Sequence, residues 1–291
     1  MKPAPFDYHA PETIQGALEL LDRYGPDARV IAGGQSLVPM LALRLARPEV
    51  LVDLNRIPQL AGIREEDGTI RIGAVTRQAH ALASPMLRER LPLLADGLHN
   101  VGHPPTRARG TIGGSLSHAD PAAETPAVML AYGARMVLMH SKGTRTVDVA
   151  DFTLGTFETC MKEGEILTEI VVDVPPAEGT AFVELSRRKG DFAMASAAAR
   201  MRLNEDGTCA SAHLMIGAVA PVPLRFDAVT DALKGRPITH AALRDAVSLI
   251  DLELFEFDNP DISLAYRRHI GPVLARRALV QAFERAKGVR V

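Results

Sequence analysis

The chain has 291 residues with 33 Lys and Arg against 35 Asp and Glu, and its formal charge of −2 leaves no electrostatic footprint for nucleic acid or an anionic membrane. Its two cysteines, Cys160 and Cys209, exclude a disulfide scaffold and any cluster that needs four thiolates from this chain. The opening M-K-P-A-P-F-D-Y-H-A-P lacks the apolar core of a signal peptide, and no apolar run approaches the ~20 residues of a membrane helix, so a cytoplasmic location is expected.

In chain order, Phe6 to His9 reads as an edge strand, and Pro11-Glu12-Thr13 opens a helix with Ile14, Ala17, Leu18 and Leu21 on one face. Gly25-Pro26 stops that helix. Arg29 to Ala32 reads as a buried strand, Leu37 to Ala46 as a short helix or turn, and Val50 to Leu54 as a third strand. Leu60 to Val75 forms a hairpin turning at Asp67-Gly68. Helical spacing follows over Thr76–Ala83 and Leu87–Leu98, and Pro104-Pro105 forbids continuation of the second helix. Pro126 to Tyr132 is helical, Arg135–His140 and Thr144–Val149 pair around Lys142-Gly143, and Glu165 to Val174 is a strand ending at Pro175-Pro176. A domain boundary is placed there, giving residues 1–176 (subdomains about 1–55 and 56–176) and 177–291. The second domain begins with three antiparallel strands, Ala181–Arg188, Ala193–Leu203 and Thr208–Ala218. Helices over Asp227–Lys234, Thr239–Leu252 and Ile262–Lys287 cover one face, the last bent or interrupted at Gly271-Pro272. The fold class expected is α+β.

Two stretches carry the candidate site. The first, Ala32-Gly33-Gly34-Gln35-Ser36-Leu37, follows a strand. The second, Arg109 to Glu124, reads R-G-T-I-G-G-S-L-S-H-A-D-P-A-A-E. Glycine pairs tolerate φ > 0, so Gly113 and Gly114 are expected to let consecutive amides converge as an anion-binding nest. Thr111, Ser115 and Ser117 add neutral hydroxyl donors, and Asp120 or Glu124 can accept from ribose or ring N–H groups. Two such turns suggest two loops closing on one extended ligand, such as a dinucleotide diphosphate. Neither a G-x-G-x-x-G opening nor a G-x-x-x-x-G-K-[ST] loop occurs, so a dinucleotide must be held in another way.

Other groupings fail on their surroundings. His99 and His103 have metal-ligand spacing for a helix, but Gly102 and Pro104 interrupt it and no third ligand is indicated. Ser117, His118 and Asp120 imitate a hydrolase triad, yet as neighbours pointing alternately up and down a strand they cannot form one. Arg187-Arg188-Lys189 suits either a phosphate grip or a solvated basic turn. Tyr266-Arg267-Arg268-His269 suits a packing or subunit-contact face, with Glu253, Glu256, Asp258 and Asp261 available to pair with it.

A-G-G-Q-S together with R-G-T-I-G-G-S-L-S-H-A-D-P-A-A-E resembles the FAD-binding medium subunit of molybdenum hydroxylases, as in carbon monoxide dehydrogenase and relatives of xanthine dehydrogenase. R-R-K-G-D-F-A at Arg187 to Ala193 and Y-R-R-H at Tyr266 to His269 resemble later landmarks of the same family. The resemblance implies a two-subdomain FAD-binding fold of the vanillyl-alcohol-oxidase/p-cresol-methylhydroxylase type, followed by a three-stranded antiparallel sheet with helices on one face. It implies that Ala32, Gly33, Gly34, Gln35, Ser36, Leu37, Thr111, Ile112, Gly113, Gly114 and Ser115 wrap the diphosphate. Asp120 and Glu124 would serve the ribityl or adenosine part, and Leu167 and Phe192 would lie close to the rings. No catalytic side chain and no metal ligand is assigned to this chain.

The resemblance also implies an iron–sulfur small subunit, a molybdenum large subunit and a dimer of heterotrimers, with NAD, a quinone or a cytochrome as electron acceptor. Departures from the family pattern are Pro105, Thr106 and Ala108 before the second glycine pair, Glu184 where lysine is frequent, and Phe192 where tyrosine or tryptophan is frequent. The alternatives are a stand-alone FAD-dependent reductase or oxidase on the same fold, and a flavin-free assembly subunit that keeps only the shape.

Overall fold

The computed structural model describes residues 2–258 and 262–288. Strand β1 (Asp7–His9) precedes helix α1 (Ile14–Tyr24), which is capped by the Thr13 hydroxyl accepting from Gly16 N at 3.0 Å. Ala17, Leu18 and Leu21 are buried on the inner face of α1, at the spacing that predicts them. After β2 (Ala28–Ile31) and α2 (Leu37–Ala42), β3 (Val50–Asp53) lies between β1 and β2 and pairs in parallel with both. The β3 interior is apolar on both sides because α1 covers one face and Leu54, Ile57 and Leu60 join the same core.

The next unit begins with β4 (Ile63–Glu66) and β5 (Thr69–Gly73). Asp67 and Gly68 between them both take positive φ, 50° and 73°, as a two-residue hairpin requires. Six helices follow, namely α3 (Gln78–Ala83), α4 (Pro85–Arg90), α5 (Pro92–Asn100), α6 (Pro104–Arg109), α7 (Ile112–His118) and α8 (Glu124–Tyr132). The single helix expected over Leu87–Leu98 is two. Pro92 pushes Leu91 out of helical backbone (φ −133°, ψ 59°) and starts α5 afresh. Pro104 likewise opens α6, where its missing N–H costs nothing. The chain continues through β6 (Arg135–His140), β7 (Gly143–Asp148), α9 (Val149–Phe152), a ribbon of β8 (Thr153–Gly155) and β9 (Glu158–Thr159), and β10 (Ile166–Asp173). Strand β10 runs through the middle of an antiparallel sheet of order β4-β5-β10-β6-β7.

Past Pro175-Pro176, β11 (Gly179–Ser186), β12 (Ala193–Leu203) and β13 (Cys209–Gly217) form the expected antiparallel meander. A fourth strand, β14 (Leu224–Arg225), corrects the expected count of three: two residues beside Pro223 are too short for an alternating pattern. Helices α10 (Asp227–Asp231), α11 (His240–Val247) and α12 (Leu264–Gly288) follow. Helix α12 runs unbroken with Pro272 inside it, so of the bend or interruption expected there the interruption is absent.

Alternation on the Ala-rich β12 decides the packing between the two halves. Ala195, Ala197 and Ala199 share a core with Ala275, Ala278, Leu279 and Ala282 of α12, whereas Ala198, with Phe182 and Met215, joins the core of the five-stranded unit. One sheet therefore has apolar neighbours on both faces. Buried Arg200 also ties the halves, since its Nε meets Glu178 at 2.6 Å, its NH1 donates to Ala131 O at 2.5 Å and its guanidinium lies 4.7 Å from the Tyr132 ring centre. Arg267 of the Y-R-R-H stretch is internal, donating to the carbonyls of Met194, Ala218, Phe257 and Ile262, while Arg268 pairs with Glu253 at 3.1 Å. Arg267 thus packs inside the chain while Tyr266 and His269 are exposed; Asp261 lies outside the described residues.

Candidate cofactor site

Strand β2 delivers the first glycine segment at its C-terminal end, and α2 leads away from it. Gly34 takes φ +71°, the left-handed region that glycine enters without a Cβ penalty. Among the described residues, no hydrogen bond is donated by the backbone N–H groups of Gly33, Gly34, Gln35, Ser36 or Leu37. Five successive amides thus lack a partner on a turn that is half-buried except at Gln35, which leaves them available to an anion.

The second segment corrects the expectation made for it. Gly113 and Gly114 do not take positive φ and do not line a nest, because they are the second and third residues of α7. Their amides are occupied: Ile112 N donates to Thr76 O at 3.0 Å, Gly113 N to Ala74 O at 2.8 Å, and Gly114 N to the capping Thr111 Oγ1 at 3.1 Å. Glycine is required there by packing. A Cβ on Gly113 would stand 2.5 Å from Ala74 Cβ and 2.7 Å from Ala74 O, and one on Gly114 would stand 2.6 Å from Thr111 Oγ1.

The two glycine segments nevertheless meet. A Cβ on Gly33 would stand 2.6 Å from Arg109 O and 2.8 Å from Gly110 Cα, and one on Gly114 would reach Ala32 Cβ at 3.8 Å. Ser115 and Ser117 are half-buried, with hydroxyls that bond no protein group among the described residues; Ile112 and Thr111 are buried. Asp120 accepts from Ala122 N at 2.9 Å through one oxygen, and Glu124 is buried as the first residue of α8. Leu167 is buried on β10 beside Leu138 of β6, and Phe192 stands 73% exposed between β11 and β12.

Ser117 and His118 do not lie on a strand: they end α7, where Ala119 turns left-handed at φ 51°. His118 packs against Phe157 with ring centres 4.9 Å apart, and burial lowers its pKa. His99 belongs to α5 and His103 immediately precedes α6 with its side chain making no cap bond, so the two do not share a helix face. The basic Arg187–Lys189 turn folds over His103, whose ring would lie 2.6 Å from a Cβ on Gly190.

Sequence reasoning missed two residues at the base of this site. Asn55 Nδ2 donates to Ala32 O at 2.7 Å, and Asn55 Oδ1 accepts from Arg77 NH2 at 2.6 Å. Arg77 NH1 donates to Arg109 O. No spacing rule marks contacts that join Asn55 to both Ala32 and Arg77. A second interaction, between Glu124 and half-buried Glu184, also escaped notice. Burial pushes Glu124 up to about 7, with Asp120 raising it further, and pushes Glu184 up to about 8, with Glu124 raising it further; Glu184 Oε2 is buried without a partner.

Residues 4–175 match the family described as the FAD binding domain in molybdopterin dehydrogenase, and residues 180–282 match the CO dehydrogenase flavoprotein C-terminal domain. The chain belongs to this family of FAD-binding subunits. It is 38% identical to the alpha subunit of the 6-hydroxypseudooxynicotine dehydrogenase complex of Paenarthrobacter nicotinovorans, over 99% of this chain and 97% of that one. It is likewise 38% identical to the carbon monoxide dehydrogenase medium chain of Afipia carboxidovorans, over 99% of this chain and 100% of that one. The structure of carbon monoxide dehydrogenase from Hydrogenophaga pseudoflava superposes with a TM-score of 0.94 at 40% identity, covering 98% of this chain and 99% of that one. These likenesses make the chain an oxidoreductase subunit with an α+β fold and FAD as its cofactor. The geometry fits that cofactor, since the 33–37 turn offers fixed neutral donors to a diphosphate and only glycine fits at 33.

Proposed function

We propose that the chain is the flavin-bearing electron-transfer subunit of a molybdenum hydroxylase complex, taking electrons from an iron–sulfur partner and passing them to NAD, a quinone or a cytochrome. The observation that carries this reading is the run of five unpartnered amides from Gly33 to Leu37, seated against Arg109 and Gly110. When bound, FAD supplies the redox chemistry.

In this reading the amides of Gly33, Gly34, Gln35, Ser36 and Leu37 grip the diphosphate, and Ala32 anchors the turn. Thr111, Ile112, Gly113 and Gly114 set the start of α7 close enough for the turn to seat, and the hydroxyls of Ser115 and Ser117 add donors. Asp120 and Glu124 accept from hydroxyls of the ribityl or ribose part. Leu167 and Phe192 flank the rings. The cofactor lies in the first domain, residues 1–176, between subdomains of about 1–55 and 56–176 in the manner of the vanillyl-alcohol-oxidase/p-cresol-methylhydroxylase fold. Residues 177–291 form the second domain.

The partners in this reading are an iron–sulfur small subunit and a molybdenum large subunit, assembled as a dimer of heterotrimers in the cytoplasm. Among the described residues no helix is long and apolar enough to cross a membrane. The test is purification of the chain from its native source with metal and flavin analysis. Near-stoichiometric FAD with co-purifying molybdenum and iron is expected, and the separately expressed chain should show at most slow NADH-dependent dye reduction. Rapid oxidation of an N-heterocycle, an aldehyde or carbon monoxide by the chain with FAD alone would establish a stand-alone oxidoreductase instead; a colourless chain would establish a flavin-free assembly subunit.

A further inference from the structure

The Arg77 guanidinium is held at the junction of the two glycine segments by neutral acceptors only. Its NH1 donates to Arg109 O and its NH2 to Asn55 Oδ1 at 2.6 Å, and no carboxylate hydrogen-bonds it among the described residues. Arg109 O is also the atom nearest to a Cβ built on Gly33, at 2.6 Å. One carbonyl therefore touches the amide turn on one side and takes the guanidinium on the other.

Asn55 is fixed in its turn. Its side-chain amide donates to Ala32 O at 2.7 Å and to Asp53 Oδ1 at 2.5 Å, and its backbone N donates to the same Asp53 oxygen at 2.8 Å. Asp53 Oδ2 accepts from Tyr8 OH. The chain Tyr8–Asp53–Asn55–Arg77 thus spans from β1 across the end of β3 to the start of α3, bonding to the nest at Ala32 and beside it at Arg109. The charges that face Arg77 are Arg109, which repels it, and Asp53, which attracts it. Asp53 spends its oxygens on three hydrogen bonds from Tyr8 and Asn55, so it attracts Arg77 without hydrogen-bonding it, and no carboxylate pairs directly with the guanidinium among the described residues.

We infer that Arg77 is the charged residue that recognises the diphosphate, and that Asn55 is the positioning residue that sets both the guanidinium and the Ala32–Leu37 turn. This rests on the cofactor reading above and deepens it: a turn of neutral amides binds an anion, and a fixed cation beside it adds a charge-assisted contact for a dianion. Arg77 also couples the subdomains, because it is bonded to Asn55 of the three-stranded unit and to Arg109 of the helical run.

The test is equilibrium binding of FAD to the flavin-stripped full chain, read by flavin fluorescence at several salt concentrations, for wild type, Arg77→Met, Arg77→Lys and Asn55→Ala. Circular dichroism melting confirms that each variant is folded. Arg77→Met is expected to weaken FAD binding about tenfold or more, the scale of one hydrogen bond to a charged group. It should also flatten the salt dependence, because the screened charge contact is gone. Arg77→Lys should keep the salt dependence with an intermediate affinity, and Asn55→Ala should weaken binding while keeping the salt dependence. The inference is overturned if folded Arg77→Met keeps wild-type affinity and salt dependence, or if Arg77→Lys loses as much of both as Arg77→Met. If Arg77→Met does not fold, unchanged FAD affinity in Asn55→Ala overturns it. Wild-type chain that takes up no FAD refutes the cofactor reading itself, which is a separate outcome.

Discussion

Replacing Glu184 by glutamine should make the protein more stable at alkaline pH than the wild type. Glu184 sits on β11 with Oε2 buried and unpartnered, and it interacts with Glu124 at the start of α8. Burial raises the folded-state values from 4.5 to about 7 for Glu124, with repulsion from Asp120 added, and to about 8 for Glu184, with repulsion from Glu124 added. The folded chain therefore binds these protons more tightly than the unfolded chain. Their stabilising contribution is complete below about pH 4.5 and is lost as pH rises through about 7 to 8. At about 1.4 kcal/mol per pH unit, the Glu184 shift from 4.5 to about 8 corresponds to roughly 5 kcal/mol, and the partial exposure of Glu184 cuts this to ~2–3 kcal/mol. His118 and His213, whose values burial lowers, act with the opposite sign, so the raw profile is composite. The difference between Glu184→Gln and wild type isolates the contribution of Glu184, since Glu124 and both histidines are present in each. Urea denaturation of the flavin-free chain at pH 5, 7 and 8.5 should show near equality at pH 5 and an advantage of ~2–3 kcal/mol for the variant at pH 8.5. A constant difference across that range, or a variant less stable at pH 8.5, would refute the reasoning.

Gly33→Ala places a Cβ 2.6 Å from Arg109 O. It should cost ~1–3 kcal/mol of stability and lower the flavin-to-protein absorbance ratio; a full flavin complement would contradict the close seating of the turn. Arg200→Met leaves Glu178 buried beside Tyr132 without its partner. It should destabilise by ~3–5 kcal/mol in denaturant titration, and a loss within ~0.5 kcal/mol would mean that Arg200, through Ala131 O and Tyr132, does not hold the two halves together. FAD should be noncovalent, so acid precipitation should leave the yellow colour in the supernatant, and colour in the washed pellet would mean a covalent bond.

Much of this architecture is legible in the sequence because its signals are local. Ala17, Leu18 and Leu21 mark α1 by spacing, Asp67-Gly68 fixes a hairpin by turn chemistry, and β12 reads as a strand even though five of its eleven residues are alanine. Pro92 was equally local, and it divides α4 from α5 where apolar spacing suggests one helix. The glycine segments show the other limit. Gly34 behaves as a turn glycine, whereas Gly113 and Gly114 are helical and small because Ala74 and Thr111 press against them. A two-glycine helix of seven residues has poor intrinsic propensity, so only the Thr111 cap and tertiary contacts account for it. The Asn55–Arg77 bridge and the Glu124–Glu184 pair depend wholly on chain crossings, which leave no periodic trace.

Amide hydrogen exchange of the flavin-stripped chain, with and without added FAD, tests the central claim most directly. FAD should slow exchange strongly at Gly33 to Leu37, whose amides have no partner in the chain, and should change little at Ile112 to Ser115, whose amides are already bonded. Unchanged exchange at Gly33 to Leu37 in a chain saturated with FAD would place the diphosphate elsewhere and contradict the site described here.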